Sequence, residues 1–338
     1  EMTSSLVGSE MCIRDSPYFL LDKTGLKWYT VYCIQNANVL IWEEYDMENT
    51  LQLKAYAKIN LALDVVRKRE DGYHEVRMIM QTVKLFDKLT FRVLDEDVIR
   101  IKTNLGFLPV DESNLVYKAV KLLKDTYHVD KGMEIDLFKC IPVAAGMAGG
   151  STDCAAALVG ASKLFGLHLS REKLMEAGVK LGADVPYCVL RGTALSEGIG
   201  EVLTPLPPMP DCYILIAKPP VFVSTKFVYE HLDAKGLETH PDIDGMVEAV
   251  KAGNLSGITS RMENVLETVT IPEHPVIEEL KKCMLERGAM NSLMSGSGPT
   301  VFGIFEKCDD AQLAQQLIRE RKLANQVYVV QPFNQNII

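Results

Sequence analysis

The sequence predicts an α+β protein that folds as two domains. The chain has 338 residues, and at roughly 150 residues per domain this length suggests two. Some segments show the period of a strand and others the period of a helix, in mixed order along the chain. A proline-rich run, Pro205–Pro210, reads as a linker between the halves. We therefore expect one domain over residues 47–205 and a second over residues 206–338.

The composition narrows the class of protein. Apolar residues make up 47% of the chain and charged residues 24%, as in ordinary globular enzymes, and the formal net charge is −9. This acidic balance argues against a nucleic-acid-binding protein, whose surface is basic. No apolar run reaches the roughly 18 residues that a membrane span needs. The eight cysteines show no C-x-x-C spacing, so we expect free thiols in a reducing cytoplasm rather than disulfides or a metal site.

Residues 1–46 differ from the rest of the chain. Neither a helical nor a strand period persists there, and residues 5–16 resemble the translation of a sequencing-library adapter. We expect this segment to be a non-native leader or a disordered extension, with the native protein beginning at or near Met47. The alternative is a genuine N-terminal extension of unknown use.

The first strong element is a strand. From Leu51 to Val65, apolar and polar residues alternate, which predicts a long, half-buried strand. The same period puts Lys58 and Asn60 on one face, away from the core.

The other elements follow from the same two periods and from helix-terminal signals. Strands are predicted near residues 76–84, 89–93, 99–102, 133–138, 212–217, 300–305 and 326–330. Helices are predicted near residues 114–127, after 153, and near 170–181, 225–232, 275–287 and 311–322.

The first chemical feature is the small-residue loop 141–153, IPVAAGMAGGSTD. Small residues let backbone approach a ligand, and a following helix offers free N–H groups and the positive end of its dipole. Ser151, Thr152 and Asp153 are suitable caps, and the two hydroxyls could contact phosphate or Mg²⁺. The loop matches neither Walker A nor G-x-G-x-x-G. From spacing alone, phosphate binding and a tight turn packed under a helix remain equally open.

Two charged residues could serve phosphoryl transfer. Asp184 lies in the segment GADVPY, just past a helix and pinned by Pro186, where a carboxylate could accept the proton of a hydroxyl. Lys58 could orient that base and neutralise charge developing on a phosphate. Taken alone, an aspartate after a helix is more often a solvated turn residue, and a lysine on a strand is usually solvated.

Two turns complete the set of candidates. In the segment DGYH, Tyr73 could stack on a planar base and His74 could hydrogen-bond it. The simpler interpretation is a hairpin turn with an exposed aromatic residue. A second glycine-rich loop, Ser295–Pro299, either lines a site or only connects a helix to a strand.

The order of these segments is specific. AKINL around residue 58, DGYH at 71–74, IPVAAGMAGGST at 141–152, GADVPY at 182–187 and SGSGPT at 295–300 follow one another. From about Leu51 to Val330 the chain resembles the GHMP small-molecule kinases. The resemblance implies their two-domain fold, with an N-terminal domain like that of ribosomal protein S5 and a ferredoxin-like C-terminal domain. Ala148 departs from the pattern, because many of these kinases have glycine there.

The resemblance also implies a reaction and roles for residues. It implies ATP-dependent phosphorylation, with Mg²⁺, of the 2-hydroxyl of 4-diphosphocytidyl-2-C-methyl-D-erythritol in non-mevalonate isoprenoid synthesis. Asp184 would be the general base and Lys58 its partner, while the metal ligands are not assigned. The residues implied to bind ATP phosphates are Pro142, Ala145, Gly146, Met147, Ala148, Gly149, Gly150, Ser151 and Thr152. Those implied to contact the cytidylyl-linked polyol phosphate are Asn60, Tyr73, His74, Tyr229, Ser295, Gly296 and Ser297.

Other functions stay open at this stage. The chain could be a GHMP kinase for mevalonate, phosphomevalonate or homoserine, or a non-catalytic protein of the same fold that binds ligand. A dinucleotide-dependent hydride-transfer enzyme is disfavoured because the fingerprint and its acidic residue are missing. We expect a small-molecule substrate, no nucleic-acid or membrane partner, and either a monomer or a homodimer.

Overall fold

A computed structural model describes residues 17–22, 25–30, 43–45, 50–234, 236–237 and 239–334. The chain separates into two compact units, Glu1–Leu51 and Gln52–Ile338. Within the described ranges, no helix is both long and apolar enough to cross a membrane.

The first unit contains a small antiparallel sheet. Its strands are β1 (Pro17–Asp22), β2 (Gly25–Thr30) and β3 (Glu43–Tyr45), in the order β1-β2-β3. The periodicity predicted no strands there, so these three correct that part of the prediction. The adapter-like stretch 5–16 lies outside the described residues, and the expectation of a non-native leader stays a prediction.

Next along the chain come two long paired strands, β4 (Thr50–Lys68), of which all but the first two residues belong to the second unit, and β5 (His74–Leu94). The sequence predicted two strands where β5 is one. The structural reason is a change of partner, because β5 pairs with one strand at Met78–Gln81 and with another at Lys88–Leu94. The polar residues between these two stretches therefore do not mark a turn. The rest of this sheet consists of β6 (Ile99–Thr103), β7 (Gly132–Phe138), β8 (Thr193–Glu197) and β9 (Val202–Leu206), in the order β6-β7-β5-β8-β9.

Strands β8 and β9 were not predicted. Strand β9 includes Pro205, which the sequence analysis took as the start of a linker. A proline is tolerated here because β9 is an edge strand, so its missing N–H interrupts no ladder on the outer side.

Four helices are associated with this six-stranded sheet. They are α1 (Leu115–Tyr127), α2 (Gly149–Leu164), α3 (Arg171–Val179) and α4 (Val185–Leu190). The small residues of α2 allow close packing, and a side chain at Gly160 would meet the ring of Phe91 at 2.9 Å. Asn114 and Ser170 cap α1 and α3 by accepting backbone N–H bonds. Helix α4 was not predicted, and its first turn contains Pro186, a position that proline favours.

A second, four-stranded antiparallel sheet follows. Its strands are β10 (Tyr213–Lys218), β11 (Asn291–Met294), β12 (Val301–Phe305) and β13 (Gln326–Val330), in the order β11-β12-β10-β13. The associated helices are α5 (Thr225–His231), α6 (Ile243–Lys251), α7 (Leu255–Thr259), α8 (Glu267–Glu273), α9 (Val276–Leu285) and α10 (Cys308–Glu320). Strand β11 and helices α6, α7 and α8 were not predicted. The chain passes from the six-stranded sheet to the four-stranded sheet between β9 and β10. The domain boundary at 205/206 stays a prediction.

A buried ion cluster supports the loop between β7 and α2. The ammonium of Lys139 contacts Asp87 and lies 2.6 Å from an oxygen of Asp153. Asp87 also accepts the N–H groups of Cys140 and Ile141 at 2.5 and 2.7 Å. All three charged side chains are at most 5% exposed. The cluster thus joins β5, the start of the loop and the first turns of α2.

We predict that Lys139→Met destabilises the fold by about 3–5 kcal/mol, because it leaves two carboxylates buried without their cation. Lys121→Met is the matched control, since Lys121 forms an exposed i,i+4 pair with Asp125, and such solvent-exposed pairs contribute little to stability. Urea unfolding of both variants measures the difference. Equal, small losses of stability would show that the cluster does not hold the loop.

Candidate active site

A cavity of about 770 Å³ brings most of the predicted site residues together. Its walls come from β4, the turn between β4 and β5, the start of α2, the segment before α4, helix α5 and the loop after β11. The predicted residues that line it are Lys58, Asn60, Tyr73, His74, Ala145, Gly146, Ala148, Gly149, Gly150, Ser151, Asp184, Tyr229, Gly296 and Ser297.

The two proposed catalytic side chains meet in this cavity. The ammonium of Lys58 lies 3.8 Å from an Oδ atom of Asp184. It also donates to Oδ1 of Asn60 at 2.8 Å and to the carbonyl of Gly146 at 3.3 Å. The Lys58 side chain is 6% exposed and that of Asp184 is 31% exposed. A fixed cation therefore stands beside a carboxylate that remains accessible to a ligand.

The sequence predicted that Lys58 and Asn60 face away from the core, and this was wrong. Lys58 is 5% exposed and Asn60 is fully buried. Strand β4 is buried on both faces in its middle, because its polar face lies against the loop before α2 and the loop after β11. The amide nitrogen of Asn60 donates to the sulfur of Met78 on β5, so this face has its own polar contacts rather than water.

Asp184 keeps its carboxylate free because of where α4 begins. It occupies the N-cap position of α4, where an aspartate usually accepts a backbone N–H, yet its side chain makes no capping bond. Helix α4 is initiated by its backbone instead, with the N–H of Val185 bonded to the carbonyl of Gly182. The carboxylate can therefore point at Lys58.

The loop before α2 presents backbone donors to the cavity. Helix α2 begins at Gly149 with Ala148 as its N-cap, in a left-handed conformation (φ 55°). The predicted caps were wrong, because Ala148 has no side-chain capping bond and Asp153 belongs to the buried ion cluster. The first N–H groups of α2, on Gly149, Gly150 and Ser151, have no partner inside the helix, and they border the cavity. Alanine is strained at Ala148, which explains why glycine suits this position.

The second glycine loop, residues 295–298, packs directly on Gly146. A side chain at Gly146 would collide with the carbonyl of Ser295. The hydroxyl of Ser295 donates to the carbonyl of Gly146 at 3.0 Å, the same oxygen that Lys58 reaches. The hydroxyl groups of Ser297 and Thr225 lie 2.8 Å apart, which joins this loop to α5.

Aromatic side chains form the opposite end of the cavity. The rings of His74 and Tyr229 have centroids 5.2 Å apart and are tilted by 39°. Tyr73 is 60% exposed, so its ring is available for a ligand. Burial, and then the positive charge of Lys68, lower the pKa of His74 below its usual 6.5. The imidazole is therefore neutral at pH 7 and carries one donor and one acceptor.

Four predicted residues lie outside this cavity. Met147, Thr152 and Ser295 are at most 1% exposed, and their roles in binding stay predictions. The Thr152 hydroxyl, which the sequence analysis offered to phosphate or Mg²⁺, donates instead to the carbonyl of Tyr56 at 2.8 Å. Pro142 lines a smaller cavity of about 210 Å³, which shares Ala144, Gly149 and Gly150 with the larger one.

Sequence reasoning missed several residues of the site. Lys68, Thr225, Lys226 and Glu230 also line the large cavity. Lys68 ends β4 just before the DGYH turn, and its nearness in the sequence to that motif was a usable signal. Apart from Tyr229, which was predicted, the residues of α5 had no comparable signal, because their helix comes from the second half of the chain.

The described residues contain no group of three or more His, Cys, Asp or Glu side chains arranged to hold a metal ion. Asp184 and Glu230 are the carboxylates that line the cavity. This sparse set suits a Mg²⁺ ion carried by a nucleotide, since Mg²⁺ is usually bound through one or two carboxylates together with substrate phosphates.

Comparison with known proteins gives the same family for both halves. The family model described as the GHMP kinases N terminal domain matches residues 114–192, and the GHMP kinases C terminal model matches residues 246–322. A crystal structure of 4-(cytidine 5'-diphospho)-2C-methyl-D-erythritol kinase superposes with a TM-score of 0.72 at 29% identity, covering 84% of this chain and 100% of that one. A homoserine kinase from Cytophaga hutchinsonii has a TM-score of 0.70 at 22% identity, covering 86% and 97%, which shows a shared fold.

Curated relatives are more similar in sequence. The 4-diphosphocytidyl-2-C-methyl-D-erythritol kinase of Lachnospira eligens is 59% identical over 284 residues, which are 84% of this chain and 99% of the relative. The enzyme of the same name from Clostridium perfringens is 46% identical over 286 residues, covering 85% and 99%. The chain therefore belongs to the GHMP kinases and, among them, to the 4-diphosphocytidyl-2-C-methyl-D-erythritol kinases.

Proposed function

We propose that the chain transfers the γ-phosphoryl group of ATP to the 2-hydroxyl of 4-diphosphocytidyl-2-C-methyl-D-erythritol, with Asp184 as the general base. The observation that carries this proposal is the Lys58–Asp184 pair at 3.8 Å, placed in one cavity with the amide-lined start of α2. Phosphoryl transfer makes little covalent demand on a protein and depends on positioning and charge stabilisation. These two side chains and the loop meet that demand.

Proton transfer falls to Asp184. Its exposed carboxylate accepts the proton of the substrate hydroxyl as the oxygen attacks the γ-phosphorus. Lys58 is held by Asn60 and by the carbonyl of Gly146, so its ammonium stays in place without a strong direct bond to Asp184. The ammonium orients the carboxylate and stabilises negative charge on the transferred group.

The phosphates of ATP bind at the start of α2. The free amides of Gly149, Gly150 and Ser151 and the positive end of the α2 dipole favour an anion. The Ser151 hydroxyl and Asp184 are the protein oxygens that would help to hold a Mg²⁺ ion carried by ATP, which would supply positive charge to the phosphates. The purine then occupies the smaller cavity lined by Pro142, because Gly149 and Gly150 border both cavities.

The cytosine of the second substrate binds at the aromatic end. Tyr73 and Tyr229 offer ring faces for stacking, and neutral His74 offers one donor and one acceptor to the edge of the base. Asn60 lies near the reacting end, beside Lys58.

The free thiols of the described cysteines are those at positions 140, 154, 188, 212, 283 and 308, and they favour a reducing cytoplasm as the place of action.

The direct test measures ADP release with purified protein. We expect turnover with the cytidylyl substrate and none above background with mevalonate, phosphomevalonate or homoserine, because these three have no base to fill the aromatic end. Turnover with one of those substrates instead would assign a different kinase. A lack of ADP release with all four would support a protein that binds ligand without catalysis.

Asp184→Asn should lower kcat at least about a hundredfold, because it removes the proton acceptor, whereas ATP affinity should change little. Asp125→Asn is the matched control, since it makes the same change to an exposed carboxylate that pairs with Lys121 on α1 and does not line the cavity. Steady-state kinetics and ATP titration measure both effects. Near-normal turnover in Asp184→Asn would remove this residue from the role of base.

The KM for the cytidylyl substrate should depend on pH through His74. The imidazole must be neutral to offer its acceptor, so KM stays constant from pH 8 to 7 and rises as the pH falls through the lowered pKa. Lys68→Gln removes a charge that lowers this pKa, so the rise should begin at a higher pH. Lys118→Gln, on the surface of α1, is the control. A KM that is independent of pH, or identical profiles for the two variants, would contradict the assignment of His74.

A further inference from the structure

We infer that Asn264 is a positioning residue for the reaction, which fixes the second glycine loop through two hydrogen bonds from one buried amide. This inference rests on the proposed function. Asn264 lies outside the cavity wall and only 3% of it is exposed. Its Nδ2 atom donates to the carbonyls of Met294 and Gly296, each at 2.8 Å. Its Oδ1 atom accepts the N–H of Leu266 at 3.0 Å.

The amide has no other orientation that satisfies its neighbours. Two carbonyl oxygens face the nitrogen and one N–H faces the oxygen, so a reversed amide would oppose like partners. Because three buried backbone groups depend on this side chain, its loss leaves unsatisfied polar groups at the base of the loop.

Backbone pairing anchors Asn264 to the catalytic strand. The N–H of Leu63 on β4 donates to the carbonyl of Glu263 at 2.9 Å, and the N–H of Val265 donates to the carbonyl of Leu63 at 3.1 Å. Strand β4 also carries Lys58. Asn264 therefore sets the distance between the strand of the catalytic lysine and the loop after β11.

The same segment replaces a missing neighbour of β11. This strand lies at the edge of its sheet, so its outer backbone groups need other partners. Glu267 accepts the N–H of Met294 at 2.7 Å, while Asn264 binds the carbonyl of the same residue. The N–H and the carbonyl of Met294, the last residue of β11, are thus both hydrogen-bonded immediately before the loop.

Among the residues that the structure describes, the second glycine loop, residues 295–298, has backbone N–H groups without an acceptor. Gly296 and Gly298 have φ angles of 58° and 87°, and such left-handed turns gather neighbouring N–H groups into an anion-binding concavity. In the part of the chain that the structure describes, the amides of Gly296 and Ser297 have no acceptor, and both residues line the cavity. We infer that Asn264 keeps these donors directed at the transferred phosphoryl group, opposite the start of α2.

Asn264→Asp tests this role, because it removes both donated bonds while it preserves shape and acceptor. We expect kcat to fall at least about tenfold at a temperature where the variant is fully folded, with KM for the cytidylyl substrate within about twofold of the original. Asn291→Asp is the matched control, since Asn291 also donates to a backbone carbonyl, that of Thr259 at 2.7 Å, and accepts a neighbouring N–H. Its kcat should stay within about twofold.

Asn264→Ala gives a second, uncharged variant in case the aspartate prevents folding. Hydrogen exchange of the peptide spanning the loop should accelerate in the Asn264 variants and not in Asn291→Asp. If a folded Asn264 variant keeps normal kcat, or loses only thermal stability, the residue is structural and the inference is wrong. If the unaltered chain itself gives no ADP release, the proposed function fails, and the exchange of the loop still decides the role of Asn264.

Discussion

The site depends on the close approach of two glycine loops at Gly146. The carbonyl of this residue accepts from Lys58 and from the hydroxyl of Ser295, and no side chain fits between it and the second loop. One backbone oxygen thus joins the ammonium of Lys58, on the six-stranded sheet, to a loop of the four-stranded sheet. Any residue larger than glycine at position 146 would push the two loops apart. Lys58 would then lose the contact that holds its ammonium beside Asp184.

Lys58 and Lys139 are both buried, and burial of a charged group costs desolvation energy. The structure offsets this desolvation cost differently for the two lysines. Lys58 is surrounded by neutral acceptors and one accessible carboxylate, so it remains ready to interact with an incoming anion. Lys139, at the base of the loop, contacts Asp87 and Asp153, and it supports the loop backbone while it also lines the smaller cavity. Desolvation and the neighbouring Asp87 raise the pKa of Asp153, because two carboxylates share one ammonium there. Lys58 thus remains able to interact with a ligand, whereas Lys139 stabilises the loop before α2.

The sequence singled out most of the residues that the structure brings together in the large cavity, but it predicted less of the fold around them. The glycine loops, Asp184 and the DGYH turn are local patterns, because their chemistry comes from consecutive residues. Strand β5 appeared as two strands because its change of partner is a long-range event, and β11, α6, α7 and α8 lacked a clear period. Lys58 and Asn60 appeared solvated because an alternating pattern reports one apolar face and cannot reveal that a loop from elsewhere covers the other. Asn264 escaped notice for the same reason, since a single asparagine shows its partners only after folding.

The fold alone does not select the substrate. A homoserine kinase shares the architecture with a TM-score of 0.70 at only 22% identity, so this fold occurs in kinases that are named for different substrates. The aromatic residues predicted to contact a nucleobase lie on the turn after β4 and on α5, where Tyr73, His74 and Tyr229 line the same cavity. These two elements are joined to the reacting end by separate contacts, the length of β4 on one side and the Thr225–Ser297 contact on the other. Changes confined to the turn and to α5 would therefore leave Lys58, Asp184 and the start of α2 in their positions, so the proposed binding of the base and the proposed phosphoryl transfer depend on separate parts of the fold.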